Sequence, residues 1–446
     1  MPLPHRTLTS RRQWLRALAA TGLGVAAPLA GLSLAGAARP GGPRLVLVLL
    51  RGGLDGLSLV PALGDPAFAD ARGALGRFAS PALPLDSLMA LHPALGGLHR
   101  LYTQQELLVV HATGLPYRDR SHFDAQQVLE SGGTKPFALD TGWLGRALAE
   151  GGQKGLALQT AVPLVLRGHA DIDTWAPSTR PDPAPDLIAR LERLYASDPT
   201  LSQALARARD LRLDGAMAGS ASPAISPAKS PLAGAGLGAM VKPAMPAISA
   251  IPAIPGMAAT EANATPQAPG RPLVLALARQ AAKFLSQPEG PQAAVLSLGG
   301  WDTHANQAGE TGPLVNNLGT LEAALLALRE GLSAPGAADT WRRTVVLVVT
   351  EFGRTVAING TQGTDHGTGG AALVLGGAVR GGRVLTDWPG LALAQRNDGR
   401  DLRVTTDVRA IFRSVLIDHL GLPAARVGQQ ILPGTAALAP LALLRG

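Results

Sequence analysis

RLVLVLL, residues 44–50, joins one arginine to six aliphatic residues with no polar alternation. A strand that shows one face to water alternates apolar with polar positions. An unbroken Val/Leu run of this length reads instead as a strand covered on both faces. Four more runs share its character: LLVVHA (107–112), AAVLSLG (293–299), TVVLVVT (344–350) and AALVLGG (371–377). Between them, helical periodicity marks 184–212, 273–286, 312–333 and 406–421. This alternation predicts an α/β fold: a doubly wound, largely parallel sheet with helices on both faces.

In such a sheet ligands bind beyond the carboxyl ends of the strands. RLVLVLL runs into RGGLDGLS, with Arg51 and Asp55, and LLVV runs into His111. AAVLSLGG leads to WDTHANQ, with Asp302 and His304, and TVVLVVT to EFGRT, with Glu351 and Arg354. GTDHGTGG (363–370), with Asp365 and His366, directly precedes AALVLGG. Carboxylates and imidazoles are the side chains that hold divalent metals, and flanking glycines let the backbone turn tightly. Their clustering at one edge predicts a metal site drawn from Asp55, Asp302, His304, Glu351, Asp365 and His366. Each alone also suits an ordinary polar turn.

YRDRSHFDAQQVLESGG (117–133) admits two readings. Ser121 with Asp124 three residues on is a capping box. Equally, a serine at a helix N-terminus is a nucleophile beside free N–H groups that favour an anion. Arg118 or Arg120 then grips the phosphoryl or sulfuryl oxygens.

The N-terminus reads as a targeting segment. Arg11 and Arg12, followed by Gln13, Trp14 and Leu15, precede a weakly apolar stretch ending in Ala35-Gly36-Ala37. This is the pattern of a twin-arginine (Tat) export signal spanning 1–37. The Tat machinery is therefore an expected partner and the periplasm or exterior the expected location. The stretch is rich in Gly, Pro and Ser, so no stable membrane span is expected after cleavage. Cleavage removes four arginines and no acids, taking the net charge from +8 to +4. With no basic block interleaved with aromatics, nucleic acid is not an expected partner. Zero cysteines exclude disulfides and thiolate metal sites. Residues 214–270 are dominated by Pro, Ala, Ser and Gly, an insertion with no long regular element within a single α/β domain over 41–440.

In order along the chain, LVLLRGGLDGLSLVPALGDPAF, RSHFDAQ, GWLGR, SLGGWDTHANQ, TEFGRT and GTDHGTGGAALVLGGAVRGG closely resemble the Tat-exported family known as domain of unknown function 1501. More distantly the chain is similar to the alkaline phosphatase and sulfatase superfamily, which implies a doubly wound sheet and a two-metal site. Under that resemblance Asp55 corresponds to the Asp that opens the site, and Ser121 to the nucleophile. Asp302 and His304 correspond to an Asp…His metal pair, with closer spacing than usual. The octet aligns in two ways. It is either the superfamily's D-H-G turn, or Glu351 takes that position and His366 is the late histidine before a strand. In the second, better-matching alignment Phe352 replaces a His ligand. Either way the chain is one histidine short of the superfamily's two-zinc set: His111 or His122 compensates, or the site holds one metal, a harder ion such as Mg, Mn or Ca, or none.

The resemblance thus implies an exported hydrolase of phosphate or sulfate esters that uses Zn, Mn, Mg or Ca. Arg51, Arg120 and Arg354 are the candidates for oxyanion contacts. The alternative is a catalytically degenerate, sulfatase-like periplasmic binding or assembly protein.

Overall fold

The computed structural model describes residues 41–178, 183–219, 270–307, 312–337 and 339–445, with 210–219 as backbone only. The segment 1–37, read above as an export signal, and residues 220–269 of the expected insertion lie outside the described residues.

Nine strands form the main sheet: β1 (Arg44–Leu50), β2 (Leu107–Gly114), β3 (Lys154–Ala157), β4 (Asp171–Thr174), β5 (Ala293–Leu298), β6 (Thr344–Thr350), β7 (Gly370–Leu375), β8 (Arg383–Leu385) and β9 (Thr406–Asp407). Their order is β8-β2-β7-β6-β1-β5-β3-β4, and β9 also pairs with β2. β1 lies in register between β5 and β6, parallel to both. Among the described strands of this sheet, β7 alone runs antiparallel to its neighbours, β2 and β6. The sheet is therefore mixed but largely parallel.

The two-sided burial expected of β1 follows from its pleat. Val46, Val48 and Leu50 enter one core with the helices Gly96–Thr103, Arg271–Ser286 and Pro313–Leu332. Leu45, Leu47 and Leu49 enter a second core with His122–Ser131, Trp143–Glu150 and Val408–Ser414. Helices thus cover both faces. Truncating a fully buried leucine such as Leu47 to alanine would cost about 2–5 kcal/mol.

Some boundaries differ from the sequence reading. The 184–212 segment forms two helices, Pro185–Tyr195 and Pro199–Gly219, because the Asp198 side chain accepts from the Thr200 and Leu201 N–H groups and restarts the helix. The second helix runs through the first six residues of the 214–270 segment. Thr406–Asp407 is a strand, and helix begins only at Val408, where Asp407 caps the Arg409 N–H. All described residues fall within one compact unit, Ala37–Gly446. Among them, no helix is long and apolar enough to cross a membrane.

His111 lies in the interior of β2, fully buried, with Nδ1 accepting from the Ala112 N–H and Nε2 3.0 Å from the Val60 carbonyl. It stands edge-on to Trp388 and is held by these partners rather than by the cluster at the strand tips. Burial lowers its pKa from 6.5 to about 4 despite the carbonyl bond. A depressed histidine contributes stability that is present above pH 6.5 and lost as pH falls through 4. We expect this group to account for about 3 kcal/mol of acid destabilisation. Urea unfolding between pH 7 and 4 should show a flatter pH dependence for His111→Gln. Equal slopes in the two proteins would exclude the effect.

Candidate metal centre

Because β7 is antiparallel, its start lies at the edge where β1, β5 and β6 end. The octet before β7 therefore reaches the segments that follow those strands. Its backbone is stitched to both sides: Thr364 N–H donates to the Thr303 carbonyl, Gly367 N–H to Gly353, and Thr355 N–H to Asp365. A Cβ on Gly363 would sit 2.3 Å from the carbonyl carbon of His304, and one on Gly367 2.4 Å from that of Arg354. Two of the octet's glycines are therefore required by close backbone approach. This seats Asp365 and His366 beside Asp302 and His304.

Three imidazoles meet there. His366 Nε2 lies 3.1 Å from His122 Nε2, 3.0 Å from His304 Nε2 and 3.1 Å from Asp302 Oδ1. His304 Nε2 is 2.9 Å from Asp302 Oδ1, and His122 Nε2 is 3.4 Å from Oδ2. The opposite nitrogens all face acceptors. His122 Nδ1 donates to Glu351 at 2.8 Å, His304 Nδ1 to Asp365 at 3.2 Å, and His366 Nδ1 to the Arg120 carbonyl at 3.1 Å. With hydrogens on Nδ1, neutral rings turn their Nε2 lone pairs toward one another and toward a carboxylate. Such a group calls for a shared proton or a cation.

The spacing suits a cation. Ligands at 2.0–2.1 Å around a tetrahedral ion stand about 3.3–3.4 Å apart, close to the separations seen here. His122, Asp302 and His366 offer ligand atoms all within 4.8 Å of one another and could hold a metal ion. The acceptors behind each Nδ1 are the partners that orient metal-binding histidines.

The electrostatics agree. Burial opposes the charge on His122, but the bonds and charges of Asp302 and Glu351 outweigh it and raise its pKa to about 9. The same carboxylates that attract this proton would attract a cation in its place. Burial opposes ionisation of Asp302 too, but bonds from His122, His366 and Arg354 keep its pKa well below the usual range. Glu351, fully buried, is likewise held ionised against burial by His122 and Gln126. It also accepts from the Gly52 N–H at 2.8 Å.

The remaining expected residues surround this group. Asp55 is 1% exposed. It caps a short helix through Leu57 and Ser58 and pairs with the buried Arg72 at 2.5 Å. Gln307 links Asp55 to Thr364, which accepts from Arg354 Nε. Arg354, with no exposed side-chain surface, donates to Asp302 at 2.6 Å and to the Thr364 carbonyl. Arg51 pairs with Glu130 and Gln126. Arg120, at φ +43°, pairs with Asp401 and Asp398 while its carbonyl faces His366. All three arginines expected at an oxyanion are thus bound to carboxylates. Ser121 caps its helix, its Oγ accepting from the Asp124 N–H at 3.5 Å. Phe352 packs against both His122 and His366, with ring centroids 4.7 and 5.1 Å away.

His122 belongs to the group although the strand-tip reading does not select it. It lies eight residues beyond the end of β2, past a loop and on the first turn of a helix. The signal present in the sequence was its place directly after Ser121.

A family model described as a protein of unknown function (DUF1501) matches residues 55–431. Among solved structures, a 2-O GAG sulfatase is 12% identical with a TM-score of 0.32, over 90% of this chain and 73% of that one. A presumed sulfatase from Bacteroides thetaiotaomicron VPI-5482 is 10% identical with a TM-score of 0.31, over 90% and 74% of the two chains. No curated protein matches the sequence.

Proposed function

This chain belongs to the DUF1501 family, and from that premise we propose that it is an exported, metal-dependent hydrolase of phosphate or sulfate esters. The observation that carries the metal is the convergence of histidine Nε2 atoms on Asp302, with an acceptor behind every Nδ1. His122, His366 and Asp302 are the ligands we assign to a divalent ion, with His304 Nε2, 3.0 Å from His366 Nε2, beside them. The ester class rests on the resemblance of the sequence motifs.

When bound, the ion supplies Lewis acidity to the transferred group and lowers the pKa of a nearby hydroxyl. Glu351, Asp365 and the Arg120 carbonyl fix the tautomers, so that each Nε2 lone pair faces the centre. Arg354 orients Asp302 and balances its charge. Ser121 is the proposed nucleophile, one residue before His122, where helix N–H groups favour negative charge.

The test uses the exported protein with 4-nitrophenyl phosphate and 4-nitrophenyl sulfate. Hydrolysis of one ester should stop on chelation and return with Zn, Mn, Mg or Ca. Turnover indifferent to the chelator would refute the metal. We expect Ser121→Ala to lower kcat roughly a thousandfold, while loss of the cap costs about 1 kcal/mol of stability. Activity that survives the substitution removes the covalent route.

A second reading, a degenerate periplasmic binding or assembly protein, is favoured by the pairing of Arg51, Arg120 and Arg354 with carboxylates. It predicts no turnover of either ester with any of the four metals.

A further inference from the structure

A cavity of about 400 Å³ is bordered by Leu75, Arg77, Phe78, His92, Leu314 and the Ser58–Gln307 pair. That volume lies in the range of small-molecule sites. Leu75 and Leu314 are buried, and Phe78 stands edge-on to His92 with ring centroids 5.3 Å apart. Ser58 and Gln307 are fixed by Asp55 at 2.8 and 2.5 Å, so the polar end is preformed.

Among the described residues, two donors on this wall make no hydrogen bond, the His92 Nε2–H and the Arg77 guanidinium. His92 is 8% exposed. Its Nδ1 accepts from the Ala94 N–H at 3.1 Å, which places the hydrogen on Nε2. Among the described residues, no hydrogen bond is made by that Nε2–H, on a ring that borders the cavity. Burial keeps the imidazole neutral, its pKa lowered to about 4. The Arg77 guanidinium, at the exposed rim, has no ion pair or side-chain hydrogen bond among the described residues.

We infer that this cavity is a binding site for a small organic anion with an apolar body. The apolar walls take the body, the His92 N–H gives one fixed hydrogen bond, and Arg77 meets the oxyanion at the rim. A neutral ligand would leave Arg77 unused, and a bare inorganic anion would leave the walls unfilled. The inference is independent of what the metal group does.

Calorimetric titration of the full chain with 1-naphthoate, 1-naphthamide and inorganic phosphate tests it. We expect one saturable site for the naphthyl compounds, with the carboxylate about tenfold tighter than the amide, and no saturable phosphate binding. Ala79→Trp, at the exposed rim, should abolish binding of both. Arg77→Gln should erase the preference for the carboxylate. Absence of saturable binding, or binding undiminished in a folded Ala79→Trp protein, would overturn the proposal. If Ala79→Trp does not fold, Arg77→Gln decides alone: an unchanged carboxylate preference overturns it.

Discussion

His366→Ala is expected to weaken cation binding by more than about 100-fold, because loss of an outer partner alone costs about 10–100-fold. His366 Nε2 is the atom that the other two imidazoles and Asp302 all approach. Its removal should cost little stability, since the side chain is partly exposed and leaves no buried charge behind. Asp302→Ala is a poorer probe, because it would strand the fully buried Arg354. Metal content by mass spectrometry after dialysis, beside a Glu351→Gln protein, gives the comparison. Glu351→Gln should lose about 10–100-fold by releasing His122. A near-stoichiometric ion retained in His366→Ala would sink the assignment.

Asp55→Ala should cost about 3–5 kcal/mol, because it leaves Arg72 charged and unpaired in the interior. Burial works against the Asp55 carboxylate, yet Arg72, Ser58 and Gln307 hold its pKa below the ordinary value. Replacing the pair together, as Asp55→Leu with Arg72→Met, should restore much of the loss. Urea unfolding of the three proteins measures this, and a loss below about 1 kcal/mol in Asp55→Ala would contradict it. Metal titration of the same variants separates support from ligation. An affinity falling as far as in His366→Ala would place Asp55 in the ion's own shell.

The fold was legible where burial writes itself into composition. β1, β2, β5, β6 and β7 are dominated by aliphatic residues without polar alternation because neighbours cover both faces. β3, β4, β8 and β9 have two to four residues each and no apolar run long enough to register. Asp302, His304, Asp365 and His366 were legible as polar residues at one edge of a parallel sheet. Which atom faces which was not, because it depends on side-chain direction. Glu351 and Asp365 turn to imidazole Nδ1 atoms, Asp55 turns down to Arg72, and His111 points into the core.

The antiparallel strand β7 also fixes an order of events. His122 and His366 stand 244 residues apart in sequence, and they meet only once β7 is seated between β2 and β6. Closing so long a loop is entropically costly, so such contacts form late in folding. An ion at this edge cannot act as a nucleus for the chain. It binds the finished topology and shifts the folding equilibrium by mass action, in proportion to the logarithm of its concentration. Added metal should therefore slow unfolding while leaving the refolding rate nearly unchanged.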